Sequence, residues 1–336
     1  MARKIPRDIS FLEWLQNNFV QSKYSYSIIK RGFWYSPLKI PITQNRNVCM
    51  KIHRLYAYQK YLNVFDSEIL LSELDEPSQY LENGVLFTGS AMHYHYLIDG
   101  LMNLTNEMFN DYEKIYVDAD LSDDQNKFLR GYVSTLTDKD IKIEVIDSQV
   151  YGLINICVPT NHENNMAEKV KFFRQNLSKM STISRDLNNS IVYISRNKAK
   201  YRRLLNEPEL IEIIEKKFNA IFTINENMSL FDQLNYYRNT KVVLGPHGAG
   251  LTNLIFSKNP ELLIEFFLPP QQPFFKRLAE AISSQYYQIE CQCPIMNPEP
   301  KRLNNNDMTI STELVAEFLN DYLKKNKKFK YWPLFS

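Results

Sequence analysis

The sequence predicts an α/β protein made of two consecutive, doubly wound domains. Its 336 residues are enough for two domains of roughly 150 residues each. In both halves, short β-favouring runs alternate with longer amphipathic segments, which is the pattern of parallel βαβ units. The stretch PTNHENN at 159–165 is rich in turn and breaker residues and separates the halves. We therefore expect one domain at 1–160, a second at 161–336, and a ligand-binding cleft between them.

In the first half, the strand GVLFTG (84–89) is followed by the helix MHYHYLIDGLMNL (92–104). The apolar residues of this helix recur on one face, at Tyr94, Leu97, Ile98, Leu101 and Leu104. KIYVDAD (114–120) is the next predicted strand, a helix begins near Ser122, and IKIEVID (141–147) is the third strand.

The second half repeats the alternation of strand and helix. Its predicted elements are the strands NSIVYIS (189–195), AIFTI (220–224), KVVLG (241–245) and ELLIEFF (261–267), and the helices EPELIEIIEKKF (207–218), SLFDQLNYYRN (229–239) and STELVAEFLNDYLKK (311–325). Asn206 is the expected N-cap of the first of these helices, with Glu209 completing a capping box, and Ser229 is the expected N-cap of the second.

Composition argues against several classes of protein. Basic and acidic residues number 40 and 38, so the basic excess of a nucleic-acid-binding protein is missing. No run approaches the ~20 apolar residues of a membrane span, and the N-terminal stretch has no apolar core typical of a signal peptide. Four cysteines without a paired framework are typical of a reducing compartment. We expect a cytoplasmic protein whose basic C-terminal KKNKKFKYW (324–332) lies in solvent or against an anionic membrane surface.

The stretch VVLGPHGAGLTNLIF (242–256) contains three of the nine glycines of the chain, at 245, 248 and 250. A strand followed by a glycine turn and a helix start presents backbone N–H groups to an anion. The turn lacks the lysine of a P-loop and the spacing of a dinucleotide-binding GxGxxG. It also lacks the GxSxG elbow that accompanies HGAG-like loops in esterases. We therefore predict that this turn and His247 bind a diphosphate.

Two further groups of residues have a possible chemical role. YISRNKAKYRRLLNE (193–207) follows a strand and is rich in Arg and Lys, so it is either part of the same anion site or a solvated basic loop. His95 and Asp99 are four residues apart and share a helix face. A carboxylate stabilises a protonated imidazole, so this pair is either a proton acceptor in catalysis or a structural pair.

Taken in order, HYLID, ISR…R…NE, HGAGLTN and LLIEFF resemble glycosyltransferase family 61, over roughly residues 84 to 290. That family includes plant xylan xylosyltransferases and animal O-linked N-acetylglucosaminyltransferases. The resemblance implies a GT-B architecture, two Rossmann-like domains facing a cleft, with inversion at the anomeric carbon and neither metal nor cofactor. It also implies that N-acetylglucosamine (GlcNAc) or xylose is transferred from a UDP-sugar to a glycan or another hydroxyl acceptor.

The resemblance implies a donor site in the C-terminal domain and a catalytic base in the N-terminal one. The implied donor-binding residues are Arg196, Arg203, His247, Gly248, Ala249, Gly250, Asn253 and Glu265, and the implied base is Asp99 or His95. One position departs from the family pattern, because the family often has Asn three residues before that His and this chain has Met92.

Two other functions stay open at this stage. Asp118 and Asp120 form a carboxylate pair at a strand end that would hold Mn²⁺ or Mg²⁺ in a metal-dependent GT-A transferase. Asp120 also fits the region preceding a helix N-terminus. The second alternative is a non-catalytic module that binds a nucleotide sugar or a glycan. It would keep the glycine turn and need neither Asp99 nor His95.

Overall fold

The computed structural model describes residues 19–21, 26–35, 79–87, 89–118, 121–146, 150–159, 166–180, 190–269, 274–294 and 305–325. The strands within these ranges are β1 (Phe19–Gln21), β2 (Tyr26–Tyr35), β3 (Gln79–Leu86), β4 (Lys114–Asp118), β5 (Lys142–Ile146), β6 (Val150–Pro159), β7 (Ile191–Ile194), β8 (Ile221–Thr223), β9 (Val242–Pro246), β10 (Leu262–Phe267) and β11 (Gln285–Glu290). The α-helices within them are α1 (Met108–Asp111), α2 (Asp123–Val133), α3 (Met166–Leu177), α4 (Glu207–Phe218), α5 (Leu230–Tyr237), α6 (Phe274–Ala281) and α7 (Thr312–Lys325). None of the helices in these ranges combines the length and hydropathy of a bilayer-spanning segment.

The chain divides into two compact units, Met1–Ser181 and Thr182–Ser336. Helix α3 belongs to the first unit, although it follows the predicted boundary at 160/161. The Phe173 ring packs against Tyr132, with ring centroids 5.1 Å apart, and Lys169 donates a hydrogen bond to Asn103. These contacts tie α3 to residues that come before the predicted boundary.

The described strands of the first unit form a mixed sheet in the order β1-β2-β6-β3-β4-β5. The three predicted strands are present as β3, β4 and β5, which pair in parallel. Strand β6 is also parallel to β3, whereas β2 pairs with both β1 and β6 in antiparallel fashion. Strands β1, β2 and β6 were not predicted from the sequence. With them, the first half is less regular than a plain series of βαβ units.

The helix predicted at 92–104 is helical but not a regular α-helix. His95–Gly100 forms a π-helical turn and Leu101–Asn103 a 3-10 turn. This winding changes the buried face, because Tyr96 is fully buried whereas the predicted core residue Tyr94 is only half-buried. Single π-helical turns are uncommon and occur frequently at functional sites.

The described strands of the second unit form an all-parallel sheet in the order β11-β10-β9-β7-β8. Strands β7 and β9 are buried at every residue, as expected for a parallel sheet covered on both faces. The α/β prediction with parallel strands is confirmed, and this sheet is compatible with a Rossmann-like fold. The chain runs from β7 to β8 on one side and then to β9 on the other, so the topological switch point lies between β7 and β9.

One of the two predicted helix caps is wrong. Ser229 accepts a hydrogen bond from the Asp232 backbone N–H and caps α5 as expected. Asn206 precedes α4, but its side chain makes no capping bond. Instead the Asn206 amide bonds the backbone N–H and C=O of Ile310. This contact joins α4 to a segment 104 residues later, which no local pattern could indicate.

Candidate active site

The basic loop and the glycine turn meet at the switch point of the second sheet. Arg196 follows β7, which ends at Ile194, and His247 comes directly after β9. Because β7 and β9 are parallel neighbours, their carboxyl ends lie side by side. Open α/β sheets bind their ligands in the crevice outside this position. The two motifs that the sequence singles out are therefore brought together by the order of the strands.

Gly248 is required because the Arg196 side chain lies directly against it. A Cβ built on Gly248 would lie 2.1 Å from the Arg196 Nη1 and 2.8 Å from its Cζ. The backbone of Gly248 is extended, with φ 174°, so the glycine serves close approach rather than a left-handed conformation. Gly245 also allows a close approach, since its Cβ would lie 2.7 Å from the backbone oxygen of Ile194. The guanidinium is thus fixed against the turn.

Arg196 and Arg202 place two half-buried positive charges beside this turn. Arg196 Nη2 donates to the carbonyl oxygen of Tyr201, and Arg202 Nη1 donates to that of His247, both at 3.3 Å. The Nε groups of both arginines are buried without a hydrogen-bond partner among the described residues. Burial lowers the pKa of both guanidinium groups, and the charge of Arg202 lowers the pKa of Arg196 further. An anion would relieve both the unsatisfied donors and the repulsion.

Arg202 belongs to the basic loop that the sequence indicates as a possible anion site, but the resemblance does not imply it as a donor-binding residue. Its backbone is in the left-handed region, with φ 62°, which is uncommon for a residue other than glycine. Such conformations cost on the order of 1–3 kcal/mol and cluster at ligand-binding positions. Arg203 is the arginine that the resemblance implied, but its guanidinium binds Asp307 at 2.6 and 3.0 Å and is half-exposed. The structure therefore puts Arg202 beside the turn and pairs Arg203 with Asp307.

Ala249 and Gly250 begin a 3-10 helix, Ala249–Phe256, that follows the turn. The first N–H groups of a helix have no partner within it and form a site for an anion. Gly250 packs against Asn225, because a Cβ there would lie 2.8 Å from Asn225 Nδ2. That amide nitrogen is buried and has no hydrogen-bond partner within the part of the chain that the structure describes. The start of this helix thus adds donors to those of the two arginines.

Asn253 and Glu265, two other residues that the resemblance implies at the donor site, are buried and contact neighbouring side chains. Asn253 is fully buried, and its Nδ2 donates to the Gln233 Oε1 at 2.8 Å. Glu265 is also fully buried, in β10. Its carboxylate accepts a hydrogen bond from the ring Nδ1–H of His247. Both side chains therefore hold the turn and its histidine in place rather than presenting an exposed group to a ligand.

A buried carboxylate also fixes the start of the basic loop. Glu207 accepts hydrogen bonds from the Tyr193 hydroxyl at 2.7 Å and from the Ser195 hydroxyl at 2.9 Å. The Ser195 oxygen in turn accepts from the backbone N–H of Asn197, at 3.1 Å. These bonds hold the backbone on both sides of Arg196. Glu207 is the acidic residue of the NE motif, so the motif was visible in the sequence although its role was not.

The predicted His–Asp pair is present in the first unit. The ring Nδ1–H of His95 donates to Asp99 Oδ2, and the side chains are 46% and 10% exposed. Asn103 donates to the Asp99 backbone oxygen at 2.8 Å and accepts from Lys169 at 2.7 Å. Burial lowers the pKa of Lys169 to about 8, and the negative charge of Asp99 partly opposes this shift. Asp99 is thus a buried orienting carboxylate and His95 the accessible member of the pair.

The carboxylate pair of the GT-A alternative falls largely outside the described residues. Asp118 ends β4, but its side chain and the whole of Asp120 are not described. Within the described ranges, His, Cys, Asp and Glu side chains form no group of three or more with the arrangement of a metal site.

The helix predicted to begin near Ser122 is present as α2. Ser122 caps it through a capping box with Gln125.

Comparison with known proteins supports the resemblance. The family model described as "Glycosyltransferase 61" matches residues 93–264, a range that contains His95, Asp99, Arg196 and His247. A 98-residue segment is 36% identical to the EGF domain-specific O-linked N-acetylglucosamine transferase of Drosophila melanogaster. That segment covers 29% of this chain and 19% of the length of the relative. The chain belongs to glycosyltransferase family 61.

Proposed function

We propose that this chain is an inverting, metal-independent glycosyltransferase that moves GlcNAc or xylose from a UDP-sugar to a hydroxyl acceptor, a glycan or glycoconjugate. The observation that carries the proposal is the contact between Arg196 and the Gly248 turn at the switch point of the parallel sheet. At this position Arg196, Arg202 and the N-terminus of the helix Ala249–Phe256 lie close to the same turn. The name of the fruit fly relative favours GlcNAc as the sugar.

The proposed donor site stabilises the diphosphate as it leaves. Breaking the bond between C1 and the diphosphate transfers an electron pair to the leaving oxygen, which needs positive charge or hydrogen-bond donors. Arg196 and Arg202 supply half-buried guanidinium groups, and the first N–H groups of the helix Ala249–Phe256 supply fixed dipoles. These groups can stabilise the leaving group without a metal ion.

The proposed base is His95, with Asp99 as its orienting carboxylate. His95 is the exposed member of the pair, so its ring can reach an acceptor hydroxyl, while Asp99 holds Nδ1. As the acceptor oxygen attacks C1, His95 Nε2 takes its proton, and Asp99 stabilises the imidazolium that forms. This is the role that a carboxylate–histidine pair has in other group-transfer enzymes.

Ligand binding to the purified chain tests the proposed donor class. We expect UDP to raise the midpoint of thermal unfolding more than GDP or CMP at equal concentration, because binding stabilises by RT ln(1 + [L]/Kd). Calorimetry would then give the Kd for UDP. A chain that binds none of the three nucleotides would contradict the proposal. A chain that prefers GDP or CMP would contradict its donor class alone.

Gly248→Ala is expected to weaken UDP binding about tenfold, or about 1.4 kcal/mol. The new methyl group overlaps the end of the Arg196 side chain, which can move aside, so the fold should survive while the guanidinium is displaced. Calorimetry with UDP and circular dichroism would measure the two effects. Gly245→Ala is the matched variant, since its methyl meets the backbone oxygen of Ile194 and should lower thermal stability instead. Unchanged UDP affinity in Gly248→Ala would contradict the proposed donor site.

Removing divalent metals is expected to leave donor turnover unchanged. The leaving diphosphate is neutralised by guanidinium and N–H groups in the proposed mechanism, so EDTA should not alter the rate of UDP-sugar hydrolysis or transfer. Loss of turnover in EDTA, restored by Mn²⁺ or Mg²⁺, would favour the GT-A alternative with Asp118 and Asp120. A chain that binds UDP but never hydrolyses or transfers the sugar would favour the non-catalytic module.

Three further expectations from the sequence stay predictions. They are the GT-B arrangement, the cytoplasmic location and contact between the basic C-terminus and a membrane surface. Residues 326–336, which include most of that basic segment, lie outside the described residues.

A further inference from the structure

Three side chains form a hydrogen-bonded chain across neighbouring strands of the second sheet. His247 follows β9, Glu265 lies in β10 and Tyr286 lies in β11, and these strands are adjacent and parallel. One carboxylate oxygen of Glu265 accepts from the His247 Nδ1–H. The other accepts from the Tyr286 hydroxyl. Each carboxylate oxygen thus has its own donor.

Glu265 is fully buried, although nothing in its own strand compensates a negative charge. A buried carboxylate is costly unless hydrogen bonds and opposite charge accompany it. The Tyr286 hydroxyl supplies one bond, and burial together with the neighbouring Glu265 raises the pKa of Tyr286, so it remains a proton donor. Arg202 lies near enough for its charge to interact favourably with Glu265. The His247 ring supplies the second hydrogen bond to the Glu265 carboxylate.

This arrangement determines how His247 can meet a ligand. Since Nδ1 is bonded to Glu265, a phosphate can be bound only through the other ring nitrogen, Nε2. The ring also packs edge to face with Phe275, with centroids 5.2 Å apart, which restricts its rotation. A ring with Nδ1–H donates from Nε2 only as the imidazolium, and a carboxylate beside Nδ1 stabilises that charged form.

We propose that Glu265 and Tyr286 are positioning residues that hold His247 as a charged hydrogen-bond donor, through Nε2, to the donor diphosphate. Glu265 acts through His247 and does not contact the nucleotide sugar itself. Tyr286 completes the chain by satisfying the second carboxylate oxygen. The inference rests on the proposed function, because it takes the diphosphate as the ligand of the turn.

The experiment compares Glu265→Gln and Tyr286→Phe with the wild-type chain. UDP affinity is measured by calorimetry, and the His247 ring nitrogens are followed by NMR of the ¹⁵N-histidine-labelled protein, with His247→Asn to assign the signals. Tyr287→Phe is the matched control. Tyr287 is the next residue, is half-exposed and packs its ring against Phe318, whereas the hydroxyl of Tyr286 bonds Glu265. Tyr286→Phe removes one hydroxyl group and keeps the ring, so the test does not depend on the stability of Glu265→Gln.

With UDP bound, we expect both ring nitrogens of His247 to carry protons in the wild-type chain. In Glu265→Gln, we expect one ring nitrogen of His247 to lose its proton and UDP binding to weaken about tenfold. Tyr286→Phe should shift the Nδ1–H signal and weaken binding about threefold, and Tyr287→Phe should leave both unchanged. UDP binding at wild-type affinity in Glu265→Gln and Tyr286→Phe, with unmoved His247 signals, would overturn the inference and leave the proposed function standing. A wild-type chain that does not bind UDP would overturn both.

Discussion

Arg196→Ala is expected to weaken UDP binding about a hundredfold, or about 2.8 kcal/mol. The guanidinium lies against the Gly248 turn, and its Nε is buried with no partner among the described residues. Truncation removes a half-buried cation at the point where the diphosphate is proposed to lie. Arg196→Lys keeps the charge but loses the planar fork of donors, so we expect about tenfold weaker binding. Calorimetry with UDP at fixed ionic strength measures both.

Lys198 offers the control within the same loop. Its ammonium group is exposed and donates to Asn227 Oδ1, so Lys198→Ala should leave the Kd for UDP within about twofold of wild type, as for an ordinary surface charge. Arg202→Ala should weaken UDP binding more than Arg203→Ala, since Arg203 is bound to Asp307. If Lys198→Ala or Arg203→Ala weakened binding as much as Arg196→Ala, the assignment of the guanidinium site would be wrong.

The sequence predicts the local elements of the site well because their signals are local. The strand, glycine turn and helix start of 242–256 and the strand before Arg196 are all present. The reason for Gly248 was not predictable, because it is the approach of Arg196, more than fifty residues earlier in the chain. That approach follows from the strand order, in which β9 lies beside β7. Strand order is a property of the whole sheet.

The different contacts of two adjacent arginines also could not be predicted from local sequence. Arg202 and Arg203 have identical side chains and follow the same strand, so residue type alone does not distinguish them. Their contacts differ for two reasons. The backbone of Arg202 adopts the left-handed conformation, and Arg203 forms a salt bridge with Asp307. Asp307 lies 104 residues away from Arg203. The resemblance at the level of motifs was therefore enough to indicate the loop, whereas the contacts of each arginine depend on residues far away in the chain.

The two histidine–carboxylate pairs differ in how far apart their members lie. His95 and Asp99 are four residues apart, so helical periodicity indicates the pair directly, even though the turn is π-helical. His247 and Glu265 are 18 residues apart and meet only because β9 and β10 are parallel neighbours in register. Glu265, which the resemblance implied as a donor-binding residue, is completely buried and bonds to His247. No local pattern in the sequence indicates this second pair.

His95→Ala and Asp99→Asn are each expected to lower the rate of sugar transfer about a hundredfold or more, the usual range for loss of a general base. His95→Ala removes the proposed proton acceptor. In Asp99→Asn, the amide can donate to Nδ1 and hold the ring in the wrong tautomer, so the histidine is present but inactive. Hydrolysis of UDP-GlcNAc, in which water replaces the acceptor, measures the effect without an identified acceptor.

The double variant distinguishes a catalytic pair from two separate roles. Residues that act as one unit are non-additive, so His95→Ala with Asp99→Asn should be no slower than the slower single variant. UDP affinity should stay at the wild-type value in all three, because the proposed donor residues belong to the second unit. His93→Ala, two positions earlier, controls for the loss of a histidine from the same segment. Wild-type rates in both single variants would make the pair structural, and a fully additive double variant would mean that Asp99 does not act through His95.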